Sequence, residues 1–330
     1  MLYVLAFIAG GAVVAVAGTA LARHADAIAD ATGIGRMWVG AVLLAGATSL
    51  PELTTDISAV RLGATDLAVG DLFGSSMANM LILAVIDLMP PRRGVLQRVT
   101  LDHALGACLA IALNTMATLF VLLRPQASAG WVGAASLLLL FGYIAGTRAV
   151  YRQASRAPDE APPSGSTQAV SAKASLRKPV TGFVVAALVV LAAAPAFAWG
   201  AKGIAELTGL GTTFVGTWLV GLATSLPEVV ACVAAVRMGS FDLAVGNLFG
   251  SNAFNMAIFA ALDVAQPGNI FAALDPSHAI SGMFAVVLMS LGLAAIVYRA
   301  KRRFVMLEPD SWLMLAVYVA AVIALYRQIP

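Results

Sequence analysis

The apolar positions of this chain fall into long unbroken runs, not into the alternation of a strand or the narrow stripe of a half-exposed helix. A helix needs about 20 mostly apolar residues to cross the bilayer core. Ten runs of that kind are expected as helices, at roughly 1–22, 37–60, 65–88, 100–123, 129–150, 179–201, 213–236, 241–264, 272–298 and 311–328. The first lacks a basic leader and continues as Gly-rich, helix-like sequence to Ala22, so it reads as a spanning helix and not as a cleaved signal. Between the fifth and sixth runs, Tyr151 to Lys178 is rich in Ser, Pro, Ala and charge, the composition of a flexible linker.

Composition sharpens this picture. Of 330 residues, 60% are hydrophobic and 11% charged, whereas soluble domains carry about 25% charge. That excludes a water-facing globule. With the N-terminus placed outside, sixteen Lys and Arg fall on the inner side and four, Arg61, Arg124, Lys202 and Arg327, on the outer. The positive-inside rule then puts both termini outside and the linker in the cytoplasm, and a bacterial inner membrane is expected. Cys108 and Cys232 lie in apolar runs without disulfide or metal spacing and are expected as buried small hydrophobes. No nucleic-acid motif occurs, no cofactor is called for, and no obligate protein partner is evident beyond membrane lipid.

The chain also repeats itself. Residues 35–89 align without gaps on 211–265, with 28 of 55 positions identical. Ala47-Thr48-Ser49-Leu50-Pro51-Glu52 matches Ala223-Thr224-Ser225-Leu226-Pro227-Glu228, and Leu72-Phe73-Gly74-Ser75 matches Leu248-Phe249-Gly250-Ser251. Five expected spans separate equivalent points, and an odd number turns the second copy upside down. The fold class is therefore an all-α integral membrane protein of ten transmembrane helices, arranged as two inverted-topology five-helix repeats. Its expected divisions are 1–150, the linker 151–178, and 179–330. Transporters place their sites at mid-membrane between such halves, on helices interrupted by Gly or Pro.

The repeated residues are polar. Glu52 and Glu228 sit mid-span, where a carboxylate costs at least ~2.5 kcal/mol and is functional by default. Each follows a Pro, which removes the helical donor to the carbonyl of Ala47 or Ala223. Thr48 and Thr224 precede the Glu residues by four and share their helix face. Their hydroxyls either join the carboxylates or bond back to their own helices. In the next span Ser75 pairs with Asn79, and Ser251 with Asn255, each at i, i+4. The set is all oxygen, which suits calcium and sodium and offers nothing soft for zinc or copper. His24, His103 and His278 lie near span ends and are expected to be interfacial or structural. The two Gly-xxx-Gly motifs, Gly70/Gly74 and Gly246/Gly250, read as helix-packing positions.

The paired Thr-Ser-Leu-Pro-Glu motifs, each followed by Gly-Ser-x-x-x-Asn, resemble the two alpha-repeats of the sodium/calcium exchanger family of the calcium/cation antiporter superfamily. That resemblance implies a secondary antiporter, not an enzyme, exchanging sodium for calcium by alternating access. Glu52 and Glu228 would be the central ligands, with Thr48, Ser49, Thr224 and Ser225 beside them and Ser75, Asn79, Ser251 and Asn255 completing the cluster. It further implies that the first and sixth spans slide across the core. Asn255 stands where potassium-dependent relatives carry Asp, so no potassium requirement is expected.

Several positions depart from the family. Asp71 and Ser76 stand where relatives usually have Asn, as the second repeat does at Asn247 and Asn252. Asp56 is matched by Cys232. Asp56 and Asp71 would form an acidic outer vestibule or a proton-coupled pair, or simply lie hydrated at the outer mouth. A proton or another divalent cation as the exchanged ion is accordingly the alternative, and a passive cation channel a more distant one. Asp87 and Asp263 close the second helix of each motif, with a role in packing or gating.

Overall fold

The computed structural model describes residues 2–89, 94–154, 176–208, 224–265, 268–298 and 309–327. The expected linker lies outside the described residues except at its two ends.

The first helix, α1 (Leu2–Thr32), runs ten residues past the apolar stretch. The chain turns amphipathic there: Ala25, Ile28 and Ala29 are buried, while Asp26 and Asp30 reach Arg36 at 2.6 and 2.7 Å. The expected span 37–60 is not one helix. It comprises α2 (Arg36–Trp38), a π-helical stretch (Val39–Leu44), α3 (Ala45–Thr48) and α4 (Leu50–Arg61), with a 42° bend at the break. Ser49 sits at φ −88°, ψ 6°, outside the helix, and Pro51 falls in the first turn of α4. Proline is tolerated there because that N–H has no helical acceptor anyway.

Next come α5 (Thr65–Leu88), α6 (His103–Leu123), α7 (Ala134–Ala154) and α8 (Arg177–Thr208). The copy of the repeated motif follows as α9 (Leu226–Arg237) and α10 (Phe241–Ala265), the counterparts of α4 and α5, and after it come α11 (Ile270–Ala273), α12 (His278–Tyr298) and α13 (Pro309–Tyr326). Among the described residues eight helices are long and apolar enough to span, plus the bent pair. The remaining expected span, 213–236, is described only from Thr224 onward.

Two expectations need correction at their edges. The span expected from 129 begins at Ala134, because Ser128–Ala129 and Val132–Gly133 pair as a short antiparallel ribbon around Gly130, whose φ is +66°. The span expected from 272 begins at His278. Asp275 caps a turn by accepting from the Ser277 N–H at 2.8 Å, which holds its carboxyl below the usual range, and Pro276 prevents the helix from running through.

Burial sorts the helices. The apolar windows of α5 and α10 are 78% buried, against 22–28% for α1, α7, α8 and α13. The repeated α5 and α10 are thus the centre, and the others turn apolar side chains such as Val16, Phe141 and Leu188 outward, as lipid-facing helices must. Cys108 corrects an expectation: it lies on the exposed face of α6, while Cys232 is buried. α1 and α8, at 31 and 32 residues, are ~46–48 Å long at 1.5 Å per residue, more than the ~30 Å hydrocarbon core. They pack along one another, with Phe7 stacked on Phe197 at 4.7 Å.

The glycines of the second motif do what packing glycines do. A Cβ on Gly246 would meet the Met37 carbonyl, and one on Gly250 the Ala41 carbonyl. Backbone thus lies on backbone where α10 crosses the broken helix. The equivalent partner segment for Gly70 and Gly74 lies outside the described residues.

The two repeats are clasped by side chains at matching positions. Asp242 Oδ1 lies 2.9 Å from His103 Nε2, and Asp66 Oδ1 lies 3.1 Å from His278 Nε2. Each clasp joins the start of a core helix to the start of a helix in the other repeat, so His103 and His278 are structural. Asp87 and Asp263 act similarly. Asp87 accepts from Leu96 N at 2.7 Å and Ser311 Oγ at 2.6 Å; Asp263 accepts from Gly133 N at 2.9 Å and Ile270 N at 2.7 Å. Both carboxylates tie down the loop that follows and a distant element, which accounts for an acid at a helix end where the dipole disfavours it. Asp263→Ala leaves two buried N–H groups without acceptors and is expected to destabilise the protein by about 2 kcal/mol or more, read as a lower melting temperature in detergent; an unchanged melting curve would refute the assignment.

Candidate cation site

The break at Ser49 aims Glu52 into the protein from the first turn of α4, and Ser225 (φ −79°, ψ 2°) does the same for Glu228 on α9. A helix N-terminus carries partial positive charge, which lowers the cost of burying a carboxylate beside it. Both Glu side chains are fully buried at 0% exposure. Thr48, Ser49, Ser75, Asn79, Thr224, Ser225, Ser251 and Asn255 are buried with them, none above 1%.

The repeats interlock at this point. Ser49 Oγ donates across to Glu228 Oε1 at 3.2 Å, while Ser75 Oγ donates to Glu52 Oε1 at 3.5 Å and lies 3.4 Å from Ser225 Oγ. Thr48 Oγ1 divides its contacts between the Ala45 carbonyl and Asn247 Oδ1, each at 3.3 Å. It therefore bonds both back to its own helix and across to the other repeat. Asn79 Nδ2 donates to Asn252 Oδ1 at 2.9 Å, and Asn252 Nδ2 to the Ser76 carbonyl at 3.3 Å. Asn247 and Asn252 entered the sequence reading only as points where the repeats differ; here they bridge the repeats.

What is left over defines the chemistry. Glu52 Oε2, Glu228 Oε2, Asn79 Oδ1, Asn255 Oδ1 and Ser251 Oγ are buried and have no hydrogen-bond partner. Buried polar atoms are nearly always paired, and an orphaned carboxylate oxygen is the costliest kind. Five hard oxygens from both repeats, two of them anionic, fit an alkali or alkaline-earth cation as cargo. Among the described residues no three His, Cys, Asp or Glu side chains form a metal cluster.

Asp56 and Asp71, open to three readings from sequence as a vestibule, a proton-coupled pair or acids hydrated at an outer mouth, do not face open solvent in this structure. Both are buried, at 1% and 5% exposure, because α4 and α5 pack together there and enclose the side chains one turn from the site. Asn114 on α6 was missed by the sequence reading. Its Nδ2 donates to the Asn252 carbonyl at 3.2 Å and the Ala110 carbonyl at 2.9 Å, and its Oδ1 has no partner. The available signal was a lone carboxamide in an otherwise apolar span, a usual site of interhelical bonding.

Known proteins resemble this chain in sequence and in fold. The chain is 28% identical over 278 residues to CaxA of Alkalimonas amylolytica, covering 82% of this chain and 84% of that protein. It is 24% identical over 266 residues to the sodium/calcium exchanger MaX1 of Methanosarcina acetivorans, covering 73% and 76%. A solved structure of the sodium-calcium exchanger NCX_Mj has the same fold, with a TM-score of 0.75 at 21% identity over 98% of this chain and 99% of that one. The family model described as sodium/calcium exchanger protein matches residues 2–149 and 178–327; with both halves matched, the chain belongs to that family.

Proposed function

We propose that this multi-pass membrane protein is a secondary antiporter that exchanges sodium for calcium at the Glu52–Glu228 centre. The observation that carries this is the pair of fully buried carboxylates, each with one oxygen unpartnered, at the meeting of the two repeats. Two negative charges suit one calcium ion, and the surrounding amide and hydroxyl oxygens replace part of its water shell. Sodium ions would use the same carboxylates, so the two cargoes exclude one another and exchange follows from competition. Access alternates when the long α1 and α8, packed outside the core, shift across it. No covalent step, cofactor or obligate protein partner enters this scheme. The division into repeats at 1–150 and 179–330 around a cytoplasmic linker 151–178, ten spans, outside termini and a bacterial inner membrane belong to the same reading.

Calcium uptake into proteoliposomes loaded with sodium, compared with the same vesicles loaded with choline, tests it. Uptake is expected only with the sodium gradient, and without any need for potassium. Equal uptake with choline, or uptake driven by a pH gradient alone, would overturn sodium as the coupling ion.

A further inference from the structure

The two repeats are not equivalent one helical turn away from the glutamates. In the second repeat, Cys232 on α9 and Asn247 on α10 are both fully buried. Asn247 Nδ2 donates to Cys232 Sγ at 3.3 Å, and Cys232 Sγ lies 3.6 Å from the Ala244 carbonyl. That pair is neutral and partnered. In the first repeat the same two places hold Asp56 on α4 and Asp71 on α5, whose side chains face one another. They are 1% and 5% exposed, and apart from each other neither oxygen of Asp71, nor Oδ2 of Asp56, has a hydrogen-bond partner.

Two adjacent carboxylates enclosed in this way need positive charge. The charged side chains that interact with the pair are its own members, Glu52, which feels both, and Glu228, which feels Asp71; no Lys, Arg or His among the described residues is paired with either. Their symmetry mates show that the fold at this level is content with a neutral pair, so packing does not require the acids. Their oxygens are hard donors without a soft partner, the chemistry that selects sodium or calcium over transition metals.

We propose that Asp56 and Asp71 form an additional subsite for a hard metal cation, confined to the first repeat and about one helical turn, ~5.4 Å, along the helices from the Glu52–Glu228 centre. It rests on the reading of that centre as a cation site. The subsite gives the protein a cation that enters or leaves next to the main cargo, and it makes the two halves of the transport path unequal.

The test counts ions. Radiolabelled calcium and, separately, radiolabelled sodium are equilibrated with the purified full chain in detergent, and the ions bound per chain are compared with those of the double variant Asp56→Cys, Asp71→Asn. That variant copies the Cys232–Asn247 pair, which this fold already accommodates; Asp71→Asn alone is the near-isosteric second variant. Both are expected to bind one fewer ion of one kind than the unsubstituted protein, while calcium binding at the main centre persists. Identical counts of both ions would overturn the subsite and leave a shared proton as the neutralising charge. Loss of all binding would also overturn it, since the pair would then belong to the main centre. If the unsubstituted protein binds neither ion, the cation-site reading itself falls.

Discussion

Glu52→Gln is expected to abolish sodium-driven calcium uptake while leaving a folded protein, and Glu228→Gln to do the same. The side chain keeps its volume, and the Gln carbonyl can still accept from Ser75 Oγ at the place of Glu52 Oε1, or from Ser49 Oγ at the place of Glu228 Oε1. What disappears is one of two charges facing the ion. Removing one member of a buried charge pair costs ~3–5 kcal/mol, and even the lower figure is roughly a 100-fold loss of apparent calcium affinity. Uptake in proteoliposomes should fall to background, with the melting temperature in detergent close to that of the unsubstituted protein. Either variant transporting at the normal rate would remove Glu52 and Glu228 from the centre of the site.

Gly250→Val is expected to have the largest structural effect. Gly250 lies against the carbonyl and Cα of Ala41, so any side chain meets main chain that has no rotamer to change. Overpacking of a tight core costs about 1–3 kcal/mol, occasionally more, and here relief requires α10 to move off the broken helix. That movement would pull apart Thr48 and Asn247, and with them the Ser49–Glu228 contact. Loss of monodisperse folded protein in size-exclusion chromatography, or a strongly lowered melting temperature, is the expected result. Gly106→Val on α6, where a Cβ would meet no described atom within 4 Å, serves as the comparison and should be tolerated. Equal behaviour of the two variants would refute the backbone contact as the cause.

Much of the candidate site is legible in the sequence. Glu52 and Glu228 stood out because a carboxylate inside an apolar run is expensive, and because it recurs at the same place in both repeats. The Ser and Asn positions followed from i, i+4 spacing on one helix face. The edges of elements were less legible. The π-helical stretch at Val39–Leu44 and the helix break at Ser49 leave no mark in hydropathy, since a bent span is as apolar as a straight one. The ribbon before α7 rests on two paired residue positions, and the turn before α12 on the Asp275 carboxylate accepting from the Ser277 N–H.

The sequence by itself determined the solvent, the duplication and the chemical class of the site, because each follows from local residue type and periodicity: apolar length, identity at a constant offset, and oxygen-bearing side chains on one face. Only the tertiary structure decided the pairings, because they join residues far apart in the chain and depend on how closely two helices approach. It crossed Ser49 onto Glu228 rather than onto its own Glu52. It gave His103 and His278 aspartate partners in the opposite repeat, turned Asp87 and Asp263 into loop clamps, and brought Asn114 to Asn252. It also enclosed Asp56 and Asp71 between α4 and α5: whether an acid one turn from a site meets water or protein is set by the neighbouring helix, and the residue's own segment carries no record of that neighbour.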